Sequence, residues 1–374
     1  MSNPFSNTHE LPHLRINIFG NCNIRCIYCP PWGENGYTIA KDVDAETLKG
    51  MLKTLANEGF KVVKFTGGEP TLRKDIFDLI RLASDLFSDV RVITNGWNLI
   101  KITPELKLSG VTVLEVSLDA VEEKTFNKMT QTTDLFKNVI SGLWKCKELE
   151  IPILINMVVT KANINQILPM VEFGEKFGNC LIKMLELVYY EFPGYKFWKE
   201  HFISMDEVIE LLNNKNEGVD WLYPPGGVGS PMKIYEFKNK SKIIVKDGRV
   251  GSTYADICNG CSMFPCQDGL YGLSLTTDGL LKMCKHRPDL HIPLVEENNN
   301  RGNVEDDIKK GIQKMKERYK SLYFLEGWKP DVAEEQSKTK IVKAEHDVIK
   351  WYRKKEYGEN PFLNLIDDDI PIDE

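Results

Sequence analysis

Three cysteines near the start of the chain are separated by three and then two residues: Cys22, Cys26 and Cys29. Clustered cysteines in a reducing compartment act as metal ligands rather than as disulfide partners. Three thiolates can bind three irons of a [4Fe–4S] cube and leave the fourth iron without a protein ligand. An open coordination position is typical of catalytic metal sites. A zinc knuckle is the simpler structural alternative for the same spacing.

A second group of cysteines lies in the last third of the sequence, at Cys258, Cys261, Cys266 and Cys284. It can hold a second [4Fe–4S] cluster, a structural zinc ion with four thiolate ligands, or no metal at all. If all four cysteines bind a cluster, no iron is open, and the cluster serves electron transfer or scaffolding. If Cys266 stays free, a substrate could bind the unique iron. The turn at 276–279, between LYGLSL and LLKMC, predicts a hairpin that presents Cys284.

Polar residues and glycines follow the first cysteine group at regular intervals. The motifs TGGEP, ITNG and VSLD each come at the end of an apolar, β-branched run. Two adjacent glycines, Gly67 and Gly68, allow the backbone to approach a ligand closely, and their carbonyl groups can accept hydrogen bonds. The motifs therefore predict a binding site formed by successive strand ends.

The elements that position these motifs alternate between strand-like and helix-like patterns. Strands are predicted at 14–19, 61–66, 90–94, 112–118, 153–159 and 181–188, and helices at 44–59, 75–87, 134–149 and 164–178. Apolar strands spaced by amphipathic helices indicate βα units and a parallel sheet. Six such units predict an α/β fold, a partial (βα)6 TIM-type barrel with a C-terminal extension for the second cysteine group. Chemistry in such barrels takes place at the C-terminal strand ends.

The composition changes along the chain and predicts five segments. These are an N-terminal lead-in at 1–13, the partial barrel at 14–188, a connecting segment with an aromatic loop and a short helix at 189–257, the auxiliary cysteine region at 258–290, and a charged helical region with an acidic tail at 291–374.

The charge distribution and the hydropathy exclude two classes of partner. The net charge is −6 and both signs are interspersed, which argues against a protein that binds duplex nucleic acid through its phosphates. The first 14 residues lack the basic and apolar parts of a secretory signal. No apolar stretch reaches the roughly 18 residues that span a bilayer. We therefore expect a cytoplasmic protein without a membrane partner.

The cysteine spacing and the strand-end motifs together resemble the radical S-adenosylmethionine (SAM) superfamily. The resemblance implies that SAM chelates the open iron and that one electron, supplied by an external reductant of the flavodoxin or ferredoxin type, releases a 5′-deoxyadenosyl radical. It also implies a set of protein groups around SAM, with an aromatic ring against the adenine. These are Tyr28, Gly67, Gly68, Glu69, Pro70, Thr94, Asn95, Ser117 and Glu186.

Residues 14–188 are most similar to the GTP 3′,8-cyclases (MoaA-like proteins) within this superfamily. The stretches LRINIFGNCNIRCIYCPPWG, FTGGEPTLRKDIFDLI, VSLDAVEEKTF and INMVVTKANI carry the resemblance. It implies that Arg15, Lys64 and Asn156 contact the substrate. Other cations of the cyclase site are replaced here by Leu154, Gly272 and Ser274. Because charge-assisted contacts dominate the recognition of phosphates, these replacements argue against GTP as the substrate.

The late cysteines resemble the twitch part of SPASM/twitch auxiliary-cluster domains, which implies a second [4Fe–4S] cluster. We therefore predict a radical SAM enzyme that abstracts a hydrogen atom from a small molecule or a short peptide. Three alternatives remain at this point. The protein could be a peptide-modifying enzyme of ribosomal peptide maturation, a GTP 3′,8-cyclase of molybdenum cofactor biosynthesis, or a non-catalytic iron–sulfur or SAM-binding sensor.

Overall fold

A computed structural model describes residues 13–30, 42–189, 194–222, 229–270, 272–284, 286–294, 304–318, 322–326 and 328. Most of the lead-in and the acidic tail lie outside the described residues. The strands are β1 (Leu14–Phe19), β2 (Val62–Gly67), β3 (Asp89–Thr94), β4 (Val113–Ser117), β5 (Ile153–Val159), β6 (Leu181–Glu186), β7 (Gly218–Leu222), β8 (Met232–Glu236), β9 (Lys242–Lys246), β10 (Ser252–Tyr254), β11 (Leu273–Leu275), β12 (Leu280–Lys282), β13 (Ile292–Pro293) and β14 (Tyr323–Leu325). The helices are α1 (Ala45–Asn57), α2 (Ile76–Leu86), α3 (Leu99–Leu108), α4 (Glu123–Thr130), α5 (Phe136–Glu148), α6 (Ile167–Phe177), α7 (Tyr195–His201), α8 (Met205–Asn213) and α9 (Val304–Arg318).

The central sheet confirms the predicted partial barrel. Strands β1 to β6 lie side by side in chain order, and each is parallel to the next. Helices connect them, as parallel neighbours require. The sheet is open, because its two ends are different strands, β13 and β7.

The parallel part of the sheet is larger than the six predicted strands. Strand β9 adds to β6 and strand β11 adds to β1, both in parallel orientation. Antiparallel strands then extend each end, β8 and β7 on one side and β12 and β13 on the other. The segments after residue 188 therefore contribute strands to the barrel sheet itself. The predicted late hairpin is confirmed, since Ser274 pairs with Lys282 and Leu275 with Leu281.

Helix α1 shows how the outer layer covers the sheet. Asp44 caps its N-terminus by accepting a hydrogen bond from the backbone N–H of Thr47 at 3.0 Å. Its apolar residues recur at helical spacing and are buried: Leu48, Met51, Leu52 and Leu55. Helix α9 packs against α1 through its own buried side chains, so the charged C-terminal region returns to the barrel.

Two helices of the outer layer, α3 and α4, were not predicted. Helix α3 contains Pro104, which lacks the backbone N–H that an interior position donates and therefore indicates a helix end in a sequence. Helix α4 spans only eight residues, from Glu123 to Thr130. No helix in the described residues is both long and apolar enough to cross a membrane.

The contact between α3 and α5 depends on Gly142, where an added Cβ would clash with the Cβ of Leu99. We expect Gly142→Ala to destabilise the protein by about 1–3 kcal/mol, because the two helices must separate. The matched control is Gly50→Ala in α1, where a Cβ meets no atom within 4 Å. That change should stabilise the protein by about 0.5–1 kcal/mol. Urea unfolding of both variants measures the difference, and equal effects would contradict the packing described here.

Candidate active site

The first three cysteines lie on the loop that follows β1. Cys22 and Cys26 are partly buried and Cys29 is exposed. The loop is fastened to the end of α4 by two backbone hydrogen bonds, from Arg25 to Thr130 at 3.2 Å and from Ile27 to Met129 at 2.9 Å. The thiols are therefore presented by a loop that is anchored on the far side of the barrel mouth.

Gly67 and Gly68 bring the end of β2 directly against this cysteine loop. The N–H of Gly68 donates to the carbonyl of Phe19 and the N–H of Glu69 to that of Asn21, both at 2.8 Å. An added Cβ would clash with the carbonyl oxygen of Phe19 at Gly67 and with that of Asn21 at Gly68. The glycines are therefore required by the chain's own backbone, whatever they offer a ligand. Their contact with SAM stays a prediction.

The side chain of Glu69 joins the ends of β2 and β3. It is fully buried. Its Oε1 accepts hydrogen bonds from the backbone and the hydroxyl of Thr71 and from the hydroxyl of Thr94 at 2.7 Å, and its Oε2 accepts from the N–H of Asn95 at 2.7 Å. Burial raises the pKa of Glu69, and these donors oppose that rise by stabilising the charged form. Glu69 and Thr94 thus hold the rim together, and Pro70 is buried beside them.

Asn95 is a polar side chain that reaches a cysteine of the first group. Its Nδ2 lies 3.7 Å from Sγ of Cys22 and donates to Oδ1 of Asn23 at 2.9 Å. A donor beside a ligating sulfur withdraws charge from it and raises the reduction potential of a cluster. This geometry fits a residue that would tune a cluster bound through Cys22.

Tyr28 is fixed by Asp119, which directly follows the end of β4. The Tyr28 hydroxyl donates to Oδ2 of Asp119 at 2.7 Å, and Oδ1 accepts from the N–H of Val158 at 2.8 Å. Burial raises the pKa of Asp119 to about 6. Asp119 was missed as a site residue, although it belongs to the VSLD motif two residues after Ser117. Ser117 itself is half-buried and pairs in register with Asn156.

Glu186 ends β6 on the opposite face of that strand from Lys183 and Leu185. Its Oε2 accepts hydrogen bonds from the N–H of Gly248 at 3.0 Å and from the side chain of Gln267. Its Oε1 is buried and has no hydrogen-bond partner among the described residues. Burial raises the pKa of Glu186 to about 7. The structure therefore places Glu186 beside the segment that carries Cys266, and its contact with SAM stays a prediction.

Charged side chains occupy the inner face of the barrel below this rim. Arg15, Lys64 and Arg91 lie side by side in register on β1, β2 and β3. Glu115 on β4 forms an ion pair with Lys64, whose Nζ lies 3.0 Å from Oε1 of Glu115. A guanidinium nitrogen of Arg91 lies 3.6 Å from the same oxygen. Asn156 on β5 donates to the other oxygen of Glu115 at 3.3 Å. The structure thus brings the three predicted substrate residues into one charged layer. Arg15 and Lys64 lie on the neighbouring strands β1 and β2, and Asn156 on β5 is linked to Lys64 through Glu115.

Lys183 on β6 completes this layer and was missed in the sequence. It pairs in register with Asn156. Burial and the neighbouring charges of Lys64, Lys246 and Arg15 lower the pKa of Lys183 to about 7, against the opposing effect of Glu115. Burial alone would raise the pKa of Glu115, but Lys64, Lys183 and Arg91 lower it to about 2. The alternation of Lys183 with the apolar residues of LIKMLE was the feature of the sequence that could have identified Lys183 as a site residue.

The four late cysteines line one common cavity. Tyr254, Met263 and Phe264 supply part of its apolar wall. The N–H of Gly269 donates to Sγ of Cys266 at 3.3 Å, and the Tyr254 hydroxyl donates to the carbonyl of Cys266. Four thiols and a backbone donor around one apolar space fit an iron–sulfur cube. Cys258, Cys261, Cys266 and Cys284 would hold it together.

An apolar cluster packs between the two cysteine regions. It contains residues from the first cysteine loop, from the end of β6, from α7 and from the late segment: Ile27, Met129, Leu187, Tyr189, Phe197, Trp198, Met263 and Trp328.

In the described part of the chain, no group of three or more His, Cys, Asp or Glu side chains is arranged to hold a single metal ion. A cube is several ångström across, so its thiolates do not have to meet at one point.

Comparisons with known sequences agree with the motifs. The family model described as the radical SAM superfamily matches residues 16–174. A probable GTP 3′,8-cyclase of Saccharolobus islandicus is 30% identical over 313 residues, which cover 81% of this chain and 91% of that protein. The GTP 3′,8-cyclase of Listeria welshimeri is 28% identical over 311 residues, which cover 79% of this chain and 86% of that protein.

Comparison with solved structures agrees with the fold. Streptococcus suis SuiB bound to the precursor peptide SuiA has a TM-score of 0.53 and 16% sequence identity, over 74% of this chain and 60% of SuiB. The same protein bound to S-adenosylmethionine has a TM-score of 0.51 and 15% identity, over the same shares of both chains. The chain thus spans about 60% of the length of SuiB. At this identity the likeness concerns the fold alone.

The clash expected at Gly68 gives a direct test of the rim. Gly68→Ala should displace the cysteine loop, so that the chain loses the cube held there, about four irons. Iron content after anaerobic reconstitution measures the effect, and circular dichroism shows whether the fold persists. Gly50→Ala is the matched control and should retain all of its iron. A Gly68→Ala variant with full iron content would contradict the role given to this glycine.

Proposed function

The chain belongs to the radical SAM superfamily, and we propose that it is an enzyme that cleaves SAM reductively and takes a hydrogen atom from a substrate. The substrate is a small molecule or a short peptide that enters the barrel. The observation that carries the proposal is the cysteine loop at the barrel mouth, where Cys22, Cys26 and Cys29 are anchored beside Asn95 and the glycine pair. The family implies one [4Fe–4S] cluster and SAM as its partners.

When bound, the iron–sulfur cluster would supply one electron to SAM. This electron breaks the S–C5′ bond and gives methionine and a radical able to remove a hydrogen atom. The residues of the chain bind the cluster and SAM and hold them in place. Three thiolates hold three irons and leave one position for the SAM amino and carboxylate groups. Tyr28, whose hydroxyl donates to Asp119, would supply the aromatic ring against the adenine. Backbone groups of Gly67 and Gly68, with Ser117, form the surrounding rim.

We also propose a second [4Fe–4S] cluster at the four late cysteines. The support is the common cavity, since all four thiols line it and none is set apart. With four ligands the cluster has no open iron, which fits electron transfer or scaffolding rather than substrate binding. The proposal includes a cytoplasmic location and an external reductant of the flavodoxin or ferredoxin type.

GTP cyclisation is the second candidate, and two observations favour it. Related proteins at about 30% identity are named GTP 3′,8-cyclases. In addition, Lys183 and Arg91 supply cations on the inner face that replace part of the charge lost at Leu154, Gly272 and Ser274. Incubation with GTP labelled with deuterium on the ribose tests it, since transfer of the label to 5′-deoxyadenosine identifies GTP as the hydrogen donor. Peptide modification has in its favour the twitch-like spacing of the late cysteines and the fold likeness to SuiB.

Reductive cleavage of SAM tests the proposed reaction. The reconstituted protein, given dithionite and SAM without oxygen, should form 5′-deoxyadenosine. Cys29→Ala should lower this rate by more than about 100-fold, because even residues behind the ligands change metal sites 10–100-fold. Cys146→Ala is the matched control, since Cys146 is a buried thiol beside Thr103 in the outer layer. The absence of 5′-deoxyadenosine from the intact protein, with its iron present, would support a non-catalytic sensor instead.

Removal of Cys284 tests the second cluster separately. Cys284→Ala should reduce bound iron from about eight to about four per chain, because one cube of two is lost. Metal analysis by mass spectrometry provides the count, and zinc is measured in the same sample. A wild-type chain with about four irons and one zinc would contradict the second cluster and assign the late cysteines to a structural zinc site.

A further inference from the structure

Gln267 directly follows Cys266, and its buried side chain binds the end of β6. Its Nε2 donates to Oε2 of Glu186 and to the carbonyl of Leu187, the latter at 3.3 Å. Its Oε1 accepts from the N–H of Tyr189 at 3.1 Å. A flipped amide would place its oxygen against two acceptors, so these partners fix the orientation of the side chain. One residue of the late cysteine segment thus binds three residues at and just after the end of β6.

The segment around Gln267 is also fastened to the late cysteine site. The N–H of Gly269 donates to Sγ of Cys266 at 3.3 Å, and the hydroxyl of Ser252 donates to the carbonyl of Asp268 at 2.7 Å. These bonds hold the turn that carries the amide of Gln267 against the Cys266 thiol. A metal group bound through Cys266 would therefore fix the position of the whole turn.

The chain after β6 packs in turn against the first cysteine loop. Leu187 and Tyr189 belong to the apolar cluster between the two cysteine regions, together with Ile27 of that loop, and Tyr28 packs against the same cluster. The indole N–H of Trp198 donates to the carbonyl of Leu187 at 3.0 Å. A displacement of the chain after β6 would therefore reach the loop that carries the first three cysteines.

The link between Gln267 and Glu186 is tightly enclosed. A Cβ added at Gly248 would lie 2.7 Å from Cγ of Gln267 and 2.8 Å from Oε2 of Glu186. The N–H of Gly248 donates to the same carboxylate oxygen at 3.0 Å. Because a closely packed interior has low compressibility, a shift of one of these groups displaces its neighbours. The link therefore transmits a change of position between the late cysteine segment and β6.

We propose that Gln267 couples the two cysteine regions, so that a metal group bound at the late cysteines strengthens the binding of SAM at the first. The inference rests on the proposed function, because it connects the two sites proposed there. Gln267 is a positioning residue, since it acts through the end of β6 and the first cysteine loop. The coupling free energy is reciprocal, so bound SAM should also stabilise the occupied late site.

The affinity for SAM tests this coupling without any turnover. The reconstituted protein is titrated with SAM in a calorimeter, without oxygen and without reductant, and the metal content of each sample is measured. Cys284→Ala, with its late metal lost, should weaken SAM binding at least about fivefold, the lower end of the range for coupled sites. Gln267→Met keeps the volume of the side chain and removes its amide, so it should weaken SAM binding to a similar extent.

The double variant distinguishes coupling from two separate defects. In the Gln267→Met chain, the further change Cys284→Ala should alter the affinity for SAM by less than about twofold, which is the accuracy of such cycles. Gln166→Met is the matched control. Gln166 is a buried glutamine whose Oε1 accepts from the N–H groups of Val121 and Glu122 at 3.2 and 3.1 Å. In that chain Cys284→Ala should keep its full effect.

A glycine variant tests the same link without removing a polar group. Gly248→Ala should push Gln267 and Glu186 apart through the clash of its Cβ, and should therefore reduce the effect of Cys284→Ala on the affinity for SAM. Gly50→Ala is its control and should leave that effect at the wild-type size. Circular dichroism shows that each variant is folded.

Two results would overturn the proposal. One is an unchanged affinity for SAM in Cys284→Ala with its late metal lost and about four irons retained. The other is an effect of Cys284→Ala that is as large in the Gln267→Met and Gly248→Ala chains as in the wild type.

Formation of 5′-deoxyadenosine by the same wild-type preparation keeps the coupling and the proposed reaction separate. If the wild type cleaves SAM but its affinity for SAM does not depend on the late cysteines, only this inference fails. If SAM binds with the expected coupling but is not cleaved, the proposed reaction fails and the coupling remains.

Discussion

The carboxylate of Glu69 is buried where the first three strand ends meet, and the architecture of the barrel mouth depends on it. Its oxygens accept hydrogen bonds from Thr71, Thr94 and Asn95, which join the ends of β2 and β3. Its backbone N–H is bonded to Asn21 in the cysteine loop. A buried carboxylate left with fewer donors would cost several kcal/mol, so these loops keep one arrangement. The same arrangement places Asn95 against Cys22.

The polar groups at the mouth of the barrel differ in arrangement from those in its interior. Around the mouth the polar groups are bonded to one another, as in the pairs Tyr28–Asp119 and Thr94–Glu69. In the interior, the cations Lys64, Arg91 and Lys183 lie around the carboxylate of Glu115. A rigid mouth suits the holding of a cofactor in one geometry, which is the condition for a reactive species to meet one hydrogen atom only.

Much of this organisation could be predicted from the sequence. Strong β-branched runs defined β1 to β6, and the cysteine and glycine motifs fell at their ends as expected. Helix α3 was not predicted, because it contains Pro104. A proline indicates a helix end unless packing compensates for the lost hydrogen bond. Strand β9 was not predicted. Strand β11 was predicted as part of the late hairpin, but a run such as LSL carries too little pattern to show that it also pairs with β1.

The site was predicted less completely than the fold, for physical reasons. Alternation shows that Lys183 and its neighbours Ile182 and Met184 lie on different faces, but only the curvature of the open sheet shows which face is the interior. Glu69 illustrates the opposite case. Its motif indicated a contact with SAM, which stays a prediction, and the structure adds that its oxygens accept hydrogen bonds from the protein. Sequence shows which residues belong to a site, and burial shows whether they face the ligand or support it.

Magnetic resonance of the reduced cluster tests the central claim most directly, that three cysteines leave one iron open to SAM. The protein is reduced with SAM carrying nitrogen-15 in its amino group and oxygen-17 in its carboxylate, and electron–nuclear double resonance records the couplings. Our account predicts that both labels couple to the cluster and that the signals disappear in the Cys29→Ala variant. Labelled SAM that binds without any coupling to the cluster would contradict it.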